Sequence, residues 1–127
     1  MKDWLKGGCH CGAVRFRVRS SLSGILNCNC SICTKKGYLH LIVPAADFQL
    51  EQGQDQQSCY RFNTGRAKHY FCNICGVSSY YIPRSHPNGV DVNARCLDNI
   101  DPASLTIEEF DGREWESNIH RIEGFNS

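Results

Sequence analysis

Cysteine spacing constrains this chain more than any other feature. Of nine cysteines in 127 residues, seven fall into three tight clusters: Cys9 with Cys11, Cys28 with Cys30 and Cys33, and Cys72 with Cys75. Cys59 and Cys96 stand alone. The first residues, Met1–Gly8, carry no apolar stretch of the kind a secretory leader needs. An odd cysteine count in such a chain fits a reducing compartment, cytoplasmic or nuclear, where closely spaced cysteines point to metal rather than disulfides. Neighbours as close as Cys9 and Cys11 also meet the narrow geometry of a disulfide poorly.

Two of the clusters share a form. Cys9-His10-Cys11-Gly12 and Cys72-Asn73-Ile74-Cys75-Gly76 both end in Cys-Gly. Two ligands one or two residues apart can be presented by one tight turn. The glycine that follows lets the backbone fold back and its amides approach the sulfurs. One such turn makes half of a tetrahedral zinc site, and a second from a distant part of the chain closes it. Cys9, Cys11, Cys72 and Cys75 are therefore expected to hold one zinc ion and tie the N-terminal strand to the region near residue 72. The alternative is buried free thiols or redox pairs.

Cys28-Asn29-Cys30-Ser31-Ile32-Cys33 differs, because three sulfurs within six residues can reach one metal and no fourth cysteine lies nearby. Three protein ligands with an open position are the pattern of catalytic zinc. The alternative is a closed site completed by Cys59, Cys96 or a histidine, with His40 and His69 as candidates. Three thiolates around one divalent ion leave a charge of −1. An incoming thiolate would give the same inner shell as the four-cysteine site, so a thiol is the natural fourth ligand, deprotonated on binding.

The rest of the chain reads as one mainly-β domain over residues 1–127. Hydrophobic content of 41% and charged content of 21% are ordinary for a globular protein, and no apolar run approaches the length of a bilayer span. In Ala13–Arg19, valine and phenylalanine alternate with Arg15, Arg17 and Arg19, the period of a half-buried strand. Further strands are expected at Gly24–Cys28, Leu39–Val43, Ser58–Asn63, Ala67–Phe71, Val77–Ile82 and Val90–Arg95. A short turn is expected after Asp101-Pro102 and a helix over Gly112–Ile122. Tyr80 and Tyr81, adjacent in a strand, should face opposite ways, one in and one out. Cys59 and Cys96 are expected to pack as small buried hydrophobes, with a resting-state fourth ligand or a redox partner for a thiol substrate as the alternatives for Cys96. Arg15, Arg17 and Arg19 could present a basic face to nucleic acid or an acidic partner, against which stand few interleaved aromatics and a net charge of only +1.

Four segments together resemble a known family. The order Gly-Gly-Cys-His-Cys-Gly-Ala-Val (7–14), Cys-Asn-Cys-Ser-Ile-Cys (28–33), Phe-Cys-Asn-Ile-Cys-Gly (71–76) and Arg-Cys-Leu-Asp (95–98) is similar to the glutathione-dependent formaldehyde-activating enzymes. His40–Pro44, Phe62–Thr64 and Tyr81–Pro87 look closest to the branch that includes centromere protein V. The resemblance runs from about Gly7 to Glu109. It implies a zinc-stabilised, Mss4-like β fold with two zinc ions, one structural on Cys9, Cys11, Cys72 and Cys75 and one catalytic on Cys28, Cys30 and Cys33. It also implies a carbon–sulfur lyase type of chemistry, in which glutathione adds to formaldehyde or a related small aldehyde to give S-hydroxymethylglutathione. Glutathione carries two carboxylates, so cations should line its site, and Lys35, Lys36, Arg84 and Arg95 are the candidates, of which Arg84 and Arg95 lie in family-like motifs. The same resemblance also leaves room for a zinc-stabilised binding module in chromatin or cytoskeletal organisation.

Overall fold

The structure is a computed structural model that describes residues 3–62, 65 and 67–111. The helix expected over Gly112–Ile122 lies outside the described residues. Among the described residues, ten strands and one short helix follow in order: β1 (Asp3–Gly8), β2 (Arg15–Ser20), β3 (Ile25–Cys28), α1 (Ser31–Lys36), β4 (Leu39–Pro44), β5 (Phe48–Gln52), β6 (Gln57–Tyr60), β7 (Lys68–Cys72), β8 (Tyr80–Ile82), β9 (Gly89–Asn93) and β10 (Ile107–Phe110). Single 3-10 turns interrupt them, one at Pro102–Ser104, where Asp101 caps the turn ahead of proline as expected.

The strands form two sheets. A three-stranded sheet runs β1-β2-β5, and a seven-stranded sheet runs β10-β3-β4-β9-β8-β7-β6. All pairings are antiparallel except that of β10 with β3. The alternation in β2 works as the sequence reading expects: Phe16 and Val18 are fully buried while Arg15, Arg17 and Arg19 lie on the other face. Phe16 and Val18 join Ile25, Leu39, Leu41, Val43, Val90 and Val92 in the main apolar cluster, which fastens the small sheet to the large one. Each such side chain contributes roughly 1.5–3 kcal/mol when fully buried.

The central strands of the large sheet, β4, β8 and β9, are buried on both faces, which changes the reading of β4 and β8. Leu39, His40, Leu41, Ile42 and Val43 are all buried, the pattern of a strand with two covered faces rather than one. Ile42 packs with Leu26 and Phe110 in a second cluster, on the side opposite Leu41. Tyr80 and Tyr81 do face opposite ways, but both are buried, not one in and one out. Tyr80 meets Phe48 and Tyr70 in the main core, whereas Tyr81 packs on Tyr38, His40 and His69.

Cys59 also departs from expectation. It is exposed, because β6 is the last strand of its sheet and pairs only with β7. Cys96 packs half-buried against the main core, and burial is the first cause that pushes its thiol up to about 11.

Candidate metal centres and their surroundings

The first cluster is assembled by two turns. Gly12 and Gly76 adopt φ of 83° and 80°, the left-handed region glycine enters without penalty, and a Cβ at either would meet open space. Conformation alone therefore calls for glycine at both knuckles. The Cys9 amide donates to the Val14 carbonyl and the Gly12 amide to that of Cys9, while the Gly76 amide donates to the Cys72 carbonyl. These turns aim amides at sulfur: Val14 N lies 3.3 Å from Cys9 Sγ and Ile74 N lies 3.4 Å from Cys72 Sγ. The Cys75 thiol is drawn down to about 6, first by the Cys11 amide and then by that of Val77. Cys9, Cys11, Cys72 and Cys75 lie with all four sulfurs within 4.8 Å of one another and could hold a metal ion. Val14 packs beside Cys9 and Cys72, so the cluster doubles as a small core between β1, β2 and β7.

The second cluster is built around α1, which sequence reasoning missed. Its six residues are too few for a visible helical period, and its N-cap is Cys30, whose Sγ accepts from the Cys33 amide at 3.4 Å. Sulfur is not among the usual capping atoms. The C-terminal signal was legible: Gly37, at φ 64°, ends the helix in the left-handed conformation. One turn of helix brings Cys33 back toward Cys30, and β3 ends at Cys28 beside them. The three thiols influence one another strongly. Cys30 is held far below the ordinary thiol range, first by hydrogen bonding from Cys28 and then from Cys33, while Cys33 is driven far above it by the same partners. Cys28 rises to about 11, chiefly through Cys30. The three thiols therefore titrate as one coupled group, with Cys30 the member whose thiolate is most favoured.

A histidine joins this cluster. Ligand atoms of Cys28, Cys33 and His40 all lie within 4.8 Å of one another and could hold a metal ion; Cys30, expected as a third sulfur ligand, caps α1 next to them and is not in that converging group. His40 Nε2 is 3.2 Å from Cys33 Sγ, and its Nδ1 is 2.6 Å from Asp91 Oδ2. Both side chains of that pair are almost fully buried, at 5% and 1% exposure. Strand register explains the meeting: Ile42 of β4 pairs with Asp91 of β9, and His40 lies two residues along β4 on the same face. The Tyr38 hydroxyl donates to the Asp91 carbonyl at 2.5 Å, and the Tyr38 and Tyr81 rings pack on the His40 ring at 4.7 and 5.9 Å. Burial, then Asp91 and Cys33, keeps the Tyr81 hydroxyl protonated.

The same register extends an aromatic row outward. Tyr60 pairs with His69, His69 with Tyr81 and Tyr81 with Asp91. Rings stack from Tyr60 to Phe62, on to His69 and then Tyr81, at 5.7, 5.5 and 4.6 Å. Lys36 stands at the edge of this region. It is exposed overall, yet its Nζ reaches Ser78 Oγ at 3.3 Å and lies over the Tyr38 ring. Burial lowers its pKa, and Cys33, Asp91 and Cys30 oppose that drop. His40 was foreseen only as a candidate; Asp91, Tyr81 and His69 become visible as its neighbours only through strand pairing.

The other cationic candidates are distributed as follows. Lys35 is exposed in the last turn of α1, and Arg95 is exposed in the turn Ala94–Cys96. Arg84 is half-buried in the loop after β8. Arg15, Arg17 and Arg19 each engage another part of the chain: Arg15 with Asp98, Arg17 with Gln49 and Arg19 with Asp47. Arg17 and Arg19 also lie over the Trp4 ring, at 4.6 and 5.2 Å. Among the described residues, no helix is long and apolar enough to cross a membrane.

Comparison with known proteins agrees with this architecture. The glutathione-dependent formaldehyde-activating enzyme family matches residues 4–112. A Halomonas elongata protein, named only provisionally as such an enzyme, is 34% identical over 104 residues, covering 75% of this chain and 66% of that protein. A crystal structure of a Rhodobacter sphaeroides protein superposes with a TM-score of 0.75 at 30% identity, covering 82% of this chain and all of the other. With its mainly-β, Mss4-like fold, the chain belongs to the glutathione-dependent formaldehyde-activating enzyme family.

Proposed function

We propose that the chain binds two zinc ions and uses the second as the site where a small thiol such as glutathione is joined to formaldehyde or a related small aldehyde. Cys9, Cys11, Cys72 and Cys75 would hold a structural zinc. Two sulfurs each about 2.3 Å from a common ion at the tetrahedral angle lie about 3.8 Å apart. Cys9–Cys11 and Cys11–Cys72 stand 3.7 Å apart, so these two pairs already have the separation that a tetrahedral zinc needs. Cys28, Cys30 and Cys33 would hold the second. A zinc ion there would lower a bound thiol's pKa and keep it as thiolate at neutral pH.

The chain's own residues do the rest. Hydrogen bonding from the Cys28 and Cys33 thiols, helped by the Cys33 amide, lowers the Cys30 pKa, which favours its thiolate form as a ligand. His40, Tyr38 and Tyr81 wall the site with rings and keep water from its inner side. Lys36 Nζ, 3.3 Å from Ser78 Oγ and over the Tyr38 ring, would be the cation that donates toward an oxyanion or a substrate carboxylate. Lys35, Arg84 and Arg95 are the further cations offered to the two carboxylates of glutathione. The reaction would form one carbon–sulfur bond and convert a carbonyl to a hydroxyl, a carbon–sulfur lyase run toward addition.

The observation that carries this reading is the gathering of Cys28, Cys33 and His40 around one point beside Cys30, in a chain of this family. Calorimetric titration with glutathione tests it, alongside exchange spectroscopy of glutathione and formaldehyde in the presence of the protein. Binding is expected in the wild type and lost in Cys30→Ser. Glutathione binding of equal strength in Cys30→Ser would refute the thiol site.

A further inference from the structure

We infer that His40 Nε2 is the fourth protein ligand of the second zinc and that Asp91 is the residue that positions it. This deepens the functional reading above, since it rests on metal binding at Cys28, Cys30 and Cys33. In the protein without thiol, His40 fills the open position that three cysteines suggest, giving a resting donor set of three sulfurs and one nitrogen and holding the place an incoming thiol would take.

Three observations support it. First, Nε2 sits 3.2 Å from Cys33 Sγ. A nitrogen about 2.0 Å and a sulfur about 2.3 Å from one tetrahedral ion lie roughly 3.5 Å apart, so a small movement completes the geometry. Second, the other ring nitrogen is already engaged, with Asp91 Oδ2 2.6 Å from Nδ1. A carboxylate accepts there, so Nδ1 carries the proton and the Nε2 lone pair is left aimed at the cysteines. Ligating histidines almost always show this arrangement, in which a carboxylate fixes tautomer and ring orientation and raises ligand basicity. Third, the arrangement is rigid and costly. Asp91 is 1% exposed in an apolar sheet, a position where a carboxylate is expensive unless its partner requires it. Tyr38 holds the Asp91 backbone through its hydroxyl, and the Tyr38 and Tyr81 rings fix the imidazole plane.

His69 is the rival histidine. Its ring is stacked between Phe62 and Tyr81, and it does not belong to either group of converging ligand atoms among the described residues.

The test uses the full-length, zinc-loaded chain with no thiol or aldehyde present. Long-range proton–nitrogen-15 correlation of the histidine rings should show His40 with Nδ1 protonated and Nε2 at the shift of a zinc-bound nitrogen. That signature should be absent from His69. A His40 Nε2 at the shift of a free imidazole nitrogen, in protein shown by metal analysis to hold both zinc ions, overturns the inference, and no variant is needed for that outcome. Chelator competition tests the positioning role. Asp91→Asn should weaken one of the two zinc ions by 10–100-fold while leaving the other at wild-type affinity, and His40→Gln should weaken the same ion at least as much. Wild-type affinity for both ions in His40→Gln overturns the ligand assignment, and in Asp91→Asn it overturns the positioning role. A glutathione titration separates this inference from the reading it rests on. A His40 seen on zinc in a protein that binds no glutathione keeps the ligand and removes the thiol chemistry.

Discussion

Acid should destabilise this fold through His69, by an amount that can be worked out beforehand. The ring is 4% exposed, stacked on Phe62 and Tyr81. Burial, reinforced by Lys36, lowers its pKa from 6.5 to about 4. The folded pKa lies below the unfolded one, so the unfolded chain takes up the proton first as pH falls. The stabilisation from neutral His69 is therefore complete above about pH 6.5 and is lost progressively toward pH 4. With those two values, linkage gives a loss of about 1.3 kcal/mol between pH 7.5 and pH 5.5. His69→Phe keeps an aromatic ring in the stack and removes the titration. The cysteine clusters also take up protons in acid, but both proteins carry them and their effect cancels in the difference. Urea unfolding of wild type and His69→Phe at the two pH values measures the quantity directly. The wild type should lose about 1.3 kcal/mol more than the variant. An equal loss in the two proteins would refute the argument, and would mean that His69 accepts its proton in the fold.

Two further outcomes concern the knuckles and the lone cysteines. Gly76→Ala should cost about 1–2 kcal/mol, because φ is 80° and a Cβ there meets only open space, so the whole penalty is conformational. Gly76→Asn should cost clearly less, since asparagine tolerates this region, and equal midpoints for the two variants would count against that cause. Cys72→Ser should remove one zinc equivalent by metal analysis and lower the unfolding midpoint, whereas Cys59→Ser, at an exposed edge position, should match the wild type in both. Loss of metal in Cys59→Ser would place that thiol in a site.

The two clusters were legible to different degrees. Two Cys-Gly knuckles are local objects whose turns follow from spacing and glycine, so the four-cysteine set could be named from the chain alone. The strand at Arg15–Ser20 was equally plain, because its period matches a strand buried on one face. Where the large sheet is covered on both sides the period disappears. The run Leu39–Val43 still reads as a strand, but which of its side chains face the second cysteine cluster does not follow from it. Cys59 misled for a related reason. Its alternating segment reads as half-buried, and only the sheet order shows that β6 is an edge.

Sequence by itself determined which thiols stand together locally, since residues two or three apart can share a ligand whatever the rest of the chain does. It also determined the family, because the same knuckles recur in order. Tertiary structure alone decided what stands around the second group. His40 and Asp91 are 51 positions apart and meet only because β4 and β9 pair in one register. A slip of one residue would turn His40 to the opposite face of the sheet, into the apolar core beside Leu39 and Leu41.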